Sequence, residues 1–99
     1  MPEVSIVIYK EADGTVPLFE WMDRQPAKVQ EKCRAKLGLL HEQGNELRRP
    51  NADILREGIW ELRIRYGNIH YRILYFFHGK KAVVISHGTV KRTKILIVR

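Results

Sequence analysis

The order of apolar and polar positions along the chain predicts one strand, then two helices, then a run of strands. Residues 4–9 form a β-branched apolar run that is typical of a strand. Pro17 suits the first turn of a short helix, and residues 27–43 carry an apolar stripe at helical spacing. Gly44 follows as a C-terminal cap. We expect the two helices to form a hairpin whose apolar side lies on a sheet.

The second half of the chain has the pattern of a sheet. Residues 45–57 contain the turn-forming sequence RRPN and are expected to form a loop. Residues 60–66 alternate strictly between apolar and charged side chains, which predicts a half-buried strand. Residues 70–77 are nearly all apolar, as in a central strand covered on both faces, and residues 82–87 predict a further strand. The expected fold class is α+β: a small, mainly antiparallel sheet with two N-terminal helices packed on one face.

Composition places the chain among small globular proteins. Its 99 residues suit a single domain spanning residues 1–99, and 44 % of them are hydrophobic. No apolar run approaches the roughly 18 residues of a membrane span, and the N-terminus lacks the features of a secretory signal. Cys33 is the single cysteine, so we expect no internal disulfide, and a reducing, cytoplasmic setting is the default. No Cys/His spacing indicates a zinc site, and we expect no metal and no cofactor.

Positive charge is concentrated in the second half of the chain. The net charge is +7, from 18 basic and 11 acidic side chains. The first fifty residues hold eight of each sign, whereas residues 51–99 hold ten basic and three acidic side chains. A basic surface attracts polyanions, and nucleic acid is the leading candidate. The alternative is charge that serves solubility alone.

The first candidate site lies on the polar face of the predicted strands. Alternation places Glu61, Arg63 and Arg65 on one face, and Arg72 interrupts the apolar run of the next strand. Guanidinium groups present planar donors to phosphate oxygens. Arg72 is expected to belong to a site, because an apolar strand rarely holds a charge without a partner. Glu61 has two open roles, holding an arginine or accepting a proton, and the alternative for this face is a solvent surface with cross-strand ion pairs.

The second candidate site follows the last predicted strand. His87 ends that strand, and Lys91, Arg92 and Lys94 come soon after it. A histidine that titrates near neutral pH can protonate a leaving oxygen, while a neighbouring cation stabilises developing phosphate charge. The alternative is a strand-end histidine followed by a solvated tail.

His70 and a row of lysines are weaker signals. His70 begins the central strand and is a minor candidate for the same site as Arg72. Lys28, Lys32 and Lys36 recur every four residues of the second helix. This row fits either a solvated helix face or a docking row for an acidic partner.

Most nucleotide- and metal-dependent chemistries have no motif in this chain. It contains no GxxxxGK[ST] or GxGxxG phosphate loop, no HExxH and no nucleophile elbow. Cleavage of RNA needs no metal, because the 2′-hydroxyl is the nucleophile and the protein supplies orientation, proton transfer and anion stabilisation. RNA is therefore favoured over DNA as a target.

Three ordered sequence blocks carry a resemblance to a known family. They are LREGIWELR at residues 55–63, YRILYFF at residues 71–77, and SHG followed by KRT within residues 86–93. Together they resemble the HigB-type, phage-derived branch of the RelE/ParE toxin superfamily. The resemblance implies a RelE-like fold and a toxin of a type II toxin–antitoxin pair. RelE-like members cleave mRNA in the ribosomal A site without a metal, through attack by the 2′-hydroxyl.

The resemblance also implies roles for individual residues. Arg72 in YRILY matches the family's active-site arginine, and Arg63 matches a basic position on the preceding strand. The implied catalytic residues are Arg72, Arg63, His87 and Glu61, with His87 and Glu61 as candidates for acid and base. The residues expected to bind flanking RNA are Arg65, Lys91, Arg92 and Lys94.

The chain departs from the family pattern at two points. Glu61 stands where RelE-like members often carry a lysine that helps as base, and the end KILIVR lacks the C-terminal tyrosine of the best-known members. The implied partners are a helix-turn-helix antitoxin, mRNA and the ribosome, with no membrane. Two alternatives stay open: a ParE-like toxin that binds DNA gyrase without cutting RNA, and a basic nucleic-acid-binding adaptor.

Overall fold

Six strands form one mixed sheet in this computed structural model, which describes residues 2–85 and the backbone of residues 89–92. The elements in chain order are β1 (Ser5–Ile8), α1 (Pro17–Asp23), α2 (Ala27–Gln43), a 3-10 turn (Gly44–Glu46), β2 (Ala52–Arg56), β3 (Ile59–Tyr66), β4 (Ile69–His78), β5 (Lys81–Val84) and β6 (Thr89–Arg92). The spatial order is β1-β5-β4-β3-β2, and β6 pairs with β4. The β1–β5 pairing is parallel and the other described pairings are antiparallel, so the α+β class is confirmed.

The two helices form as the sequence predicts and bury their apolar residues. Pro17 occupies the start of α1, where its missing N–H costs nothing, and α2 covers residues 27–43 as expected. α2 packs on α1, β1 and β3. The buried helical side chains are Leu18, Trp21, Met22, Val29, Cys33 and Leu40. Neither helix in the described part of the chain is long and apolar enough to cross a membrane.

Alternate residues of the central strands complete the core beneath the helices. The buried side chains of β3 and β4 on this face are Leu62, Ile64, Tyr71, Ile73 and Tyr75. Each such side chain contributes about 1.5–3 kcal/mol when it is fully buried. Because successive strand residues point to opposite faces, the intervening residues, including Arg63 and Arg72, lie on the face away from the helices.

The expected loop over residues 45–57 is wrong in its second part. Residues 52–56 form β2, in which Ala52 is buried opposite Leu62 of β3. Its sequence, ADILR, has no alternating apolar pattern that would predict a strand. It is a short edge strand, and Ile54 is 52 % exposed. Pairing with β3, and not local propensity, makes it a strand. The last predicted strand, residues 82–87, corresponds to β5 at Lys81–Val84; Ile85 lies beyond the end of β5, and residues 86–88 lie outside the described part.

The end of α2 is tied to the start of β1. Gly44 caps α2 with φ +54°, and a Cβ there would overlap the carbonyl oxygen of Pro2. The Val4 N–H donates to the His41 carbonyl oxygen at 2.9 Å, and His41 Nδ1 lies 2.7 Å from the Val4 carbonyl oxygen. This close approach accepts only glycine at position 44.

We predict that Gly44→Ala lowers the free energy of unfolding by at least about 1–2 kcal/mol, because it combines a left-handed φ with backbone overlap. Gly38→Ala is the matched control, since a Cβ at Gly38 meets no atom within 4 Å in the interior of α2. It should raise stability by up to about 1 kcal/mol. Urea denaturation measures both, and a neutral Gly44→Ala would contradict the tie between α2 and β1.

Candidate functional site

The β3–β4 ladder places two arginines directly opposite each other. Arg63 pairs with Arg72, and the Arg63 N–H points away from β4 to the Asn51 carbonyl oxygen at 2.8 Å. The pair therefore lies between the ladder hydrogen bonds, where facing side chains approach most closely. Like charges directly opposite destabilise a sheet, so this arrangement requires a counter-charge.

Glu61 supplies that counter-charge from the same face of β3. Its Oε2 accepts a hydrogen bond from Arg63 Nη1 at 2.7 Å, and its Oε1 lies 3.2 Å from Arg72 Nε. Glu61 is 5 % exposed, and within the described residues it is the one charged residue that is buried. A single carboxylate thus holds both guanidinium groups.

The two contacts of the carboxylate are unequal. The Arg63 contact is a short charge-assisted hydrogen bond, whereas Oε1 accepts no hydrogen bond from any described residue and meets Arg72 as an ion pair only. The Arg72 side chain is 27 % exposed. A guanidinium has five N–H donors, so Arg72 keeps donors for another anion.

Arg65 and His70 form the next pair along the same face. They lie opposite each other in the β3–β4 ladder, with Arg65 exposed and His70 half-buried. Arg65 Nε donates to the Gly67 carbonyl oxygen at 3.3 Å. The structure therefore confirms that the arginines of β3 and β4 share one face, and it places His70, a minor candidate in the sequence, on the same face.

The second candidate site lies largely outside the described residues. His87 and Lys94 are both outside them. Lys91 and Arg92 are described by backbone alone, in β6, where Lys91 pairs with His70 and Arg92 with Ile69. β6 therefore runs beside the arginine-bearing end of β4, and the roles of these four residues stay predictions.

Lys36 lies near the site, although the sequence did not distinguish it from the other two lysines of its helical row, Lys28 and Lys32. Its Nζ donates to Asn51 Oδ1 at 2.9 Å, and Asn51 also accepts the backbone hydrogen bond of Arg63. Burial lowers the pKa of Lys36, and the positive charges of Lys32 and Arg63 lower it further. The helical row looks uniform in sequence, and only the packing of α2 on β3 distinguishes its last member.

The described residues form no group of three or more His, Cys, Asp or Glu side chains that could hold a metal ion. What the face offers is an array of fixed cations. Arg63 and Arg72 are oriented by Glu61, and Arg65, His70 and Lys36 lie beside them. Such an array is suited to oxyanions, because guanidinium donors match the geometry of phosphate and carboxylate oxygens.

We predict that Glu61→Gln lowers the free energy of unfolding by about 1–3 kcal/mol. The amide keeps the shape but leaves Arg63 and Arg72 facing each other without a negative charge. Urea denaturation at two salt concentrations should show a smaller loss at high salt, because ions screen the repulsion.

Glu57→Gln is the control for this prediction. Glu57 is exposed in the turn between β2 and β3, so its substitution should change stability by less than about 0.5 kcal/mol. Equal effects of the two substitutions would show that the bridging carboxylate contributes nothing specific.

Comparison with known proteins identifies a family for the chain. The model of the family described as Phage derived protein Gp49-like (DUF891) matches residues 20–96, a range that contains α2, the ladder of β3 and β4, and all three members of the Glu61–Arg63–Arg72 cluster. No curated protein matches the chain. The chain therefore belongs to the phage-derived Gp49-like family, a family of RelE/HigB-like toxins associated with toxin–antitoxin systems.

Proposed function

We propose that the protein is the toxin of a type II toxin–antitoxin pair and acts as a ribosome-associated, metal-independent endoribonuclease that cleaves mRNA. Membership of the Gp49-like family supports the toxin assignment. The observation that carries the nuclease assignment is the Glu61–Arg63–Arg72 cluster, in which one buried carboxylate orients two facing guanidinium groups. Its partners in the cell would be a helix-turn-helix antitoxin, mRNA and the ribosome.

The cluster suits the charge that develops when a phosphodiester is attacked. The 2′-hydroxyl oxygen bonds to the adjacent phosphorus, the bond to the 5′-oxygen breaks, and the products are a 2′,3′-cyclic phosphate and a 5′-hydroxyl. Negative charge grows on the non-bridging oxygens in between. Donors from Arg63 and Arg72 that are already in position stabilise that charge without reorganisation.

Glu61 is the proposed base, and its Oε1, the oxygen that faces Arg72, is the atom that accepts the proton. Oε1 meets Arg72 as an ion pair and accepts no hydrogen bond from the described residues, so it keeps its hydrogen-bonding capacity for a substrate hydroxyl. Oε1 is then open to accept the proton of the 2′-hydroxyl, while Oε2 keeps its hydrogen bond to Arg63. His87 is the proposed acid that protonates the leaving 5′-oxygen.

We predict that Arg72→Ala abolishes growth arrest and lowers cleavage by about 10²-fold or more, the loss typical of removing one donor to a developing oxyanion. Mapping of transcript 5′ ends after induction measures the cutting, and cuts in phase with codons would indicate ribosome association. Arg24→Ala is the matched control, because Arg24 is exposed at the end of α1 and lies outside the cluster.

Two outcomes would contradict the proposal. Undiminished cutting by a folded Arg72→Ala variant would remove Arg72 from the site. Intact transcripts accompanied by loss of DNA supercoiling would favour the gyrase-binding alternative. Urea denaturation of the purified variant distinguishes loss of chemistry from loss of fold.

We also predict that Lys91 and Arg92 bind flanking phosphates. Neutralising both as Lys91→Gln/Arg92→Gln should flatten the slope of log affinity against log salt by about 0.7–1 for each lost contact. The probe is a 2′-O-methyl RNA oligonucleotide, which cannot be cut. Lys10→Gln/Arg24→Gln removes the same charge from exposed positions in the first half of the chain and should leave the slope nearly unchanged. An unchanged slope in the first variant removes both residues from the binding surface.

A further inference from the structure

A cavity of about 240 Å³ opens at the outer edge of β3, beside the Glu61–Arg63–Arg72 cluster. β2 pairs with β3 only as far as Leu62, so the rest of this edge has no neighbour among the described strands. The helix layer, the loop before β2 and the two central strands all contribute to the wall. Its lining residues are Lys36, Pro50, Arg63, Ile64, Arg65 and His70. We refer to this space as the edge cavity.

The edge cavity has positive charge and no lining carboxylate. Lys36 and Arg65 make no ion pair with any described residue, and their hydrogen bonds go to the neutral oxygens of Asn51 and Gly67. The carboxylate of Glu61 is engaged by Arg63 and Arg72, outside the cavity lining. Of the cations around this space, Lys36 and Arg65 are therefore left without the counter-charge that Arg63 shares with the neighbouring cluster.

Lys36 is half-buried at the edge cavity, where a hydrogen bond to Asn51 fixes its side chain. A lysine on a helix surface normally extends its ammonium into water, but Nζ here is half-buried and bonded to the Asn51 side chain. Burial and the nearby positive charges of Lys32 and Arg63 lower the pKa of Lys36, because both make its ammonium form less favourable. An anion beside Nζ would oppose both effects, because an opposite charge favours the ammonium form.

We propose that the edge cavity binds the RNA phosphate next to the scissile one, with Lys36 and Arg65 as its ligands and His70 beside them. The Arg65–His70 pair lies two residues along the ladder from the Arg63–Arg72 pair, or about 6–7 Å. Arg63 borders both places. One extended single strand can therefore place consecutive phosphates on a continuous cationic track. The identification of the anion as RNA rests on the proposed function, whereas the anion site itself rests on the cavity.

The test asks whether Lys36 and one particular RNA phosphate contribute to the same binding contact. A short 2′-O-methyl RNA is titrated with the protein, and each internucleotide phosphate is replaced in turn by an uncharged methylphosphonate. Lys36→Met keeps the apolar stem and should weaken binding of the unmodified RNA about tenfold. One methylphosphonate position should weaken wild-type binding by at least a similar factor and weaken binding of Lys36→Met clearly less, since the Lys36 contact is already lost there and only the Arg65 contact remains to be removed.

Lys28→Met is the matched control. It removes the same charge from the same helix, but Lys28 is exposed and does not line the edge cavity. It should weaken binding less than twofold and should show the same methylphosphonate profile as the wild type. Lys36→Gln is a second variant, which gives the same reading if the Met variant is poorly folded.

The outcomes separate this site from the nuclease activity. Additive effects of Lys36→Met and every methylphosphonate, equal losses for Lys28→Met and Lys36→Met, or no binding of the RNA would each overturn the edge-cavity assignment. Codon-phased cutting without the coupling would leave the proposed function intact and remove the subsite. Coupling without any cutting would support the subsite and overturn the nuclease.

Discussion

The buried carboxylate of Glu61 is the constraint on which the functional face depends. Removing a charge from water costs several kcal/mol, and the cost is offset only where the charge meets well-placed partners. Glu61 meets two, one for each oxygen, and those two cations would repel each other without it. Carboxylate and arginines therefore stabilise one another, since loss of Glu61 would leave two cations facing each other and loss of both arginines would leave a buried charge without a partner.

The core and the site specify the same strand register. Leu62 and Ile64 are buried beneath the helices because Glu61, Arg63 and Arg65 occupy the intervening positions. A slip of β3 by one residue would send the charged residues into the core and the apolar ones to the open face. The Gly67 turn holds this register, since its φ of +63° closes a two-residue hairpin with the geometry that such turns favour. Packing energy thus positions the groups proposed to bind phosphate.

Two kinds of cation lie side by side on this face, and they suit different tasks. Arg63 and Arg72 are oriented by a carboxylate, which favours a fixed geometry and chemistry at one phosphate. Lys36 and Arg65 have neutral hydrogen-bond partners, which leaves their charge available to attract an incoming anion. Asn51 connects the two groups, because it bonds the backbone of Arg63 and the side chain of Lys36. The loop before β2 thereby links the helix layer to the open face.

The sequence by itself determined the features that depend on local periodicity. Helix α2, the alternation of β3, the strand nature of β4 and the placement of Arg63, Arg65 and Arg72 on one face all follow from spacing within short segments. The ordered blocks around Arg63 and Arg72 also carried the likeness to toxins that the family match supports in its coarser form.

Only the tertiary structure decided the features that depend on contacts between distant segments. β2 forms a strand because it pairs with β3. Lys36 lies near the site because α2 packs over β3. Glu61 bridges two arginines because the β3–β4 ladder brings Arg72 beside Arg63. Each of these contacts joins segments that are distant in sequence, and it forms only when helix and strand surfaces pack against one another. Local spacing along the chain carries the face on which a residue lies, but not the residue that it meets there.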